Sequence, residues 1–182
     1  MHFSVSTLVT LTLSAGLASA VSLPSTACLK FPSVIQSVDF EGFFGHVQQE
    51  MCNKGCKVKL SEYEPNLRNL GVSMIETETS NKGAPQLGSA YTKGMDSIID
   101  VARTQCAAGE VDLCAMNASE LKSLGNCVKA NVWRVMLDNA SNLWPVLTTN
   151  CQLQYDVFSD PAFWDETVPA HFRGFAENCE KN

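Results

Sequence analysis

The chain has 182 residues, 19 acidic against 13 basic side chains and a formal charge of −6, with 45% of its residues hydrophobic. No cluster of Lys or Arg occurs, which argues against nucleic acid or an anionic membrane surface as a partner. Eight cysteines, at positions 28, 52, 56, 106, 114, 127, 151 and 179, span nearly the whole chain.

Residues 1–20, MHFSVSTLVTLTLSAGLASA, contain no Asp, Glu, Lys or Arg and end on Ala18-Ser19-Ala20. That pattern predicts a secretory signal peptide, followed by one helical, disulfide-rich domain over 21–182. No later run is long and apolar enough to predict a membrane span. The first helical stripe runs from Asp39 to Met51, with Phe40, Phe43, Phe44, Val47 and Met51 on one face. Gly55 follows as a stop signal. The alternating KVKL, 57–60, is too short to build a sheet, and the polar stretch 76–86 reads as a loop and the best mobile segment. A second stripe, 86–106, aligns Leu87, Tyr91, Met95, Ile98 and Ala102.

A third helix starts at Asn117, where Glu120 three residues on completes a capping box. It continues through Leu121, Leu124, Val128, Val132 and Val135, with Gly125-Asn126 as a candidate break. Asp160-Pro161 opens another helix, Pro169 interrupts it, and a last short helix carries Phe172, Phe175 and Ala176 inward. The expectation is therefore all-α: four to six helices clamped by disulfides.

An even cysteine count in an exported chain predicts four bridges, assigning Cys28, Cys52, Cys56, Cys106, Cys114, Cys127, Cys151 and Cys179 to disulfides. Cys52 and Cys56 lie four residues apart. On a helix their Cβ atoms stand about 6 Å apart, beyond disulfide reach, so each is expected to anchor a different neighbour. A zinc site needs a second close pair of ligands and a redox pair a C-x-x-C, and neither is present. No metal and no cofactor are expected. Asn117-Ala118-Ser119 and Asn139-Ala140-Ser141 are glycosylation sequons, making Asn117 and Asn139 the expected modified residues.

Catalytic signals are weak. Asp39, His46 and Glu50 share a flank of the first helix, a pattern that suits a cation or an oriented imidazole but more often marks a solvated face. His171 reads as a helix-surface histidine. Trp133, Trp144 and Trp164 suit an apolar pocket or, more commonly, a core. No residue is assigned a catalytic role.

The export signal, the short length and the eight cysteines resemble the small secreted cysteine-rich proteins of filamentous fungi, many of which act as effectors on a host. Cys52-x-x-x-Cys56 is similar to the cysteine pair of insect odorant-binding proteins, helical carriers of apolar ligands. The later spacing departs from that family, since Cys114 and Cys127 enclose twelve residues and Cys151 and Cys179 are additional. The functional expectation is a secreted, non-enzymatic protein that binds an extracellular or host protein. A carrier of a small apolar ligand is the alternative, and a small secreted hydrolase the next.

Overall fold

A computed structural model describes residues 26–107, 110–138, 141, 148 and 150–179. The expected signal peptide, Asn139, Trp144 and the side chain of Trp133 lie outside the described residues. The chain is mostly helical, with seven α-helices and no strand among the described residues. They are α1 (Thr26–Ser37), α2 (Phe40–Glu50), α3 (Arg68–Asn81), α4 (Gly88–Val101), α5 (Ala118–Asp138), α6 (Cys151–Ser159) and α7 (Val168–Ala176). The count exceeds the expected four to six because α1, α3 and α6 add to the helices read from sequence.

The core forms where three stripes meet. Phe44 and Val47 of α2, with Met51 just past its end, pack with Leu121, Leu124, Val128 and Val132 of α5 and with Val168, Phe172 and Ala176 of α7. Val58, Leu60, Val111 and Leu113 close one end, joined by Leu60 N–H to Val111 O (2.8 Å) and Leu113 N–H to Val58 O (2.9 Å). These bonds flank a single antiparallel bridge between Lys59 and Asp112, all that the alternating KVKL becomes. Gly125 does not break α5. It is buried at the crossing with α2, where an added Cβ would stand 3.0 Å from the Cβ of Phe40. The capping box of α5 forms: Asn117 Oδ1 accepts from the N–H groups of Ser119 (2.9 Å) and Glu120 (3.1 Å), while Glu120 Oε2 accepts from Asn117 N–H (2.8 Å).

All eight cysteines are paired, as Cys28–Cys151, Cys52–Cys114, Cys56–Cys179 and Cys106–Cys127. Cys52 and Cys56 are thus separate anchors. Gly55 between them has φ of 83°, which reverses the chain after the short 3-10 turn Cys52–Lys54 and aims the two sulfurs at different neighbours.

The stretch 76–86 is not one loop. α3 runs into it as far as Asn81, Gly83 with φ of 69° turns the chain, and a 3-10 turn, Pro85–Leu87, leads into α4. Local polarity misleads here because Thr79 faces inward and satisfies its hydroxyl on Ile75 O at 2.7 Å. α3 is held by tertiary packing, not by an apolar stripe of its own.

Two widened π-helical turns, Tyr63–Leu67 and Phe163–Thr167, lead directly into α3 and α7. Pro169 therefore does not end a helix. It sits in the first turn of α7, where the N–H that proline lacks is least missed.

Candidate functional site

α3 and α7 pack together, and along their contact lies a groove of about 840 Å³. One wall comes from the π-turn before α3 and the first half of that helix: Asn66, Asn69, Leu70 and Ser73. The other comes from the π-turn before α7 and one face of the helix: Glu166, Thr167, Ala170, His171, Gly174 and Phe175. The spacing on α7 is i, i+3, i+4, i+7, i+8 from Thr167, so a single helical face is presented. Its opposite face, through Val168, Phe172 and Ala176, is committed to the core.

His171 and Glu78 join the two walls. His171 Nε2 and Glu78 Oε1 are hydrogen-bonded at 2.9 Å, with the side chains only 21% and 18% exposed. His171 is thus an interhelical residue, not the surface histidine that sequence suggested. Its partner could not be seen because Glu78 fell within the stretch read as loop, where a carboxylate has no face.

The other lining polar groups are uncommitted. Asn66, Asn69, Ser73 and Thr167 make no side-chain hydrogen bond among the described residues, and Glu166 makes no ion pair there. Ser73 in particular is not bonded to His171, so the groove contains no serine–histidine proton relay. No buried side-chain nitrogen or oxygen among the described residues lacks a hydrogen-bond partner.

The flank of Asp39, His46 and Glu50 disperses into contacts with the segment that carries α7. His46 Nε2 lies 3.7 Å from Asp165 Oδ1, and Arg173 Nη1 donates to Glu50 Oε1 at 3.0 Å. Asp39 precedes α2 without a side-chain capping bond. Among the described residues no group of three or more His, Cys, Asp or Glu could hold a metal ion.

Two further polar contacts fix α4, the neighbour of α3. Asp96 accepts from Arg68 Nε (3.0 Å) and Nη2 (2.9 Å) and from Tyr63 Oη (2.9 Å). The Arg68 hydrogen bonds hold the Asp96 carboxyl below its ordinary range, against partial burial and with help from Tyr63. The Tyr91 hydroxyl donates to Gln154 Oε1 of α6, and burial pushes the Tyr91 phenol far above its usual range, so it remains a neutral donor.

Trp164 is structural. It donates from Nε1 to Phe158 O at 2.9 Å and packs edge-on against Phe163, with ring centroids 5.0 Å apart. Asn117 is exposed, and its capping role uses Oδ1, leaving the side-chain nitrogen outside those bonds.

Comparison with known proteins gives no match: no family model, no curated protein and no solved structure aligns with the chain. No helix among the described residues is long and apolar enough to cross a membrane.

Proposed function

We propose that this is an exported, disulfide-clamped protein that acts by binding rather than by turnover, with the α3–α7 groove as its docking face. A host interface is its proposed setting, in line with the resemblance to small secreted cysteine-rich proteins. The observation that carries the reading is the row of uncommitted amides, hydroxyls and one carboxylate along a groove whose backbone is held by packed helices. Such groups are available to a ligand at no cost in internal hydrogen bonds. An apolar carrier is less well supported, since an apolar ligand in the groove would lie against two carboxylates and an imidazole, those of Glu78, Glu166 and His171. A hydrolase lacks a nucleophile bonded to His171.

Filling the groove tests the reading. Ser73→Trp, on an exposed position of α3, is expected to keep the helical circular-dichroism spectrum and all four bridges. It is expected to lose whatever partner the unmodified protein retains by crosslinking in its extracellular fluid. Equal capture by both proteins would show that the groove is not the docking face. Turnover abolished by His171→Ala would replace the reading with the hydrolase, and a copurifying apolar ligand would replace it with the carrier.

A further inference from the structure

The chemistry of the groove narrows its occupant. Its lining contains two carboxylates, Glu78 and Glu166, and no Lys or Arg. Glu78 is engaged by His171, whereas Glu166 has no ionic partner among the described residues. The nearby arginines are occupied elsewhere: Arg173 reaches Glu50, and Arg68 holds Asp96. The whole chain adds a charge of −6, which draws cations toward an acidic groove and repels anions.

The neutral groups point to a peptide. Asn66 and Asn69 stand one helical turn apart, and each side-chain amide offers a donor and an acceptor, the same pair that an extended backbone presents. Thr167 adds a hydroxyl from the facing wall. The apolar part is Leu70, Ala170 and a single ring, Phe175, with no Trp or Tyr to make a stacking platform of the kind that suits a sugar ring.

From this juxtaposition of amides, a free carboxylate and an acidic field, we infer that the groove takes an extended peptide segment carrying a basic side chain, which pairs with Glu166. The inference rests on the proposed binding role of the same groove and gives that role a ligand class.

The test is a titration of isotope-labelled, fully disulfide-bonded protein with acetyl-Gly-Ser-Lys-Lys-Ser-Gly-amide, its Glu-for-Lys counterpart, and chitohexaose, read by amide resonances. The Lys peptide is expected to move resonances of 66–78 and 166–175. It should bind at least about tenfold more tightly than the Glu peptide, since the Glu166 carboxylate attracts the one and repels the other, and weaken as salt is raised. Glu166→Gln, an exposed substitution that keeps the fold, should shrink that preference to about threefold or less. Equal binding of the two peptides, a preference unchanged by Glu166→Gln, or a Lys peptide that leaves the groove resonances still would each overturn the inference. Chitohexaose moving the groove resonances while both peptides are inert would overturn the peptide class but leave the binding role standing. If Ser73→Trp also leaves partner capture unchanged, the binding role falls as well.

Discussion

Two disulfides, Cys28–Cys151 and Cys56–Cys179, enclose the same sequence separation of 123 residues, yet they sit in different surroundings. Cys56 is fully buried in the main core, and its bridge ties the end of α2 to the chain just beyond α7. Cys28–Cys151 joins α1 to α6, and no described residue of either helix belongs to that core. The α1–α6 pair instead packs on itself and reaches α4 through Gln154 and Phe158. Chain entropy treats the two bridges alike, so any difference in their effects measures the packing around them.

The largest effect is expected at the core bridge. In the loop-closure picture a separation of this size is worth roughly 5 kcal/mol. Cys56→Ser with Cys179→Ser should lose about that much in guanidinium unfolding. Phe172→Ala comes next. Phe172 is buried and meets Phe43 edge-on at 5.5 Å between centroids, so the loss should be about 3–5 kcal/mol, measured the same way. Because Phe172 backs the groove, this variant should also loosen hydrogen-exchange protection of α7 more than that of α6.

Cys28→Ser with Cys151→Ser should cost less, about 2 kcal/mol. Without the bridge α1 can detach while the core remains folded, so the folded state gains freedom along with the unfolded one. Early exchange confined to α1 and α6 would show this. Equal losses for the two double variants would instead mean that both regions unfold as one unit. Tyr91→Phe removes the hydroxyl that donates to buried Gln154, with an expected loss of about 1 kcal/mol concentrated at the α4–α6 contact.

The smallest effect is a pH dependence. The folded-state pKa of Asp96 is depressed, so its contribution is present above the ordinary carboxylate pKa of about 3.9 and is lost as pH falls through the folded value. Both Asp96 and Arg68 are about one-third exposed, at 35% and 32%, which limits the contribution to less than about 1 kcal/mol. Asp96→Asn should lower the melting temperature at pH 7 by a few degrees at most and flatten its decline below pH 4. A decline equally steep in the variant would assign the acid sensitivity to other carboxylates.

Amphipathic periodicity was legible wherever one helical face carries most of the burial. Phe44, Val47 and Met51, the α5 residues Leu121, Leu124, Val128, Val132 and Val135, and Phe172 and Ala176 of α7 are buried as their spacing indicates. Phe40 and Phe43 are half-buried, and Phe175, expected inward, lines the groove. The capping box at Asn117 and the reversal at Gly55 were equally plain, because each depends on atoms within a few residues. α3 was not legible. Its apolar residues, Leu70, Val72, Met74 and Ile75, all precede Glu76, and from there to Asn81 it is wholly polar, so no stripe runs along it. It is helical because α4 and α7 cover it.

The candidate site failed to show for the same reason. His171 and Glu78 are 93 residues apart, and neither has meaning until α3 is known to be a helix beside α7. The amino-acid sequence alone determined an acidic, helical, cysteine-rich chain, since composition and short-range periodicity act through local backbone geometry. Tertiary structure alone decided which sulfurs pair, why Gly125 lies beneath Phe40, and which polar side chains line one groove. Those outcomes depend on which helix faces meet across many intervening residues, and no local spacing encodes that meeting.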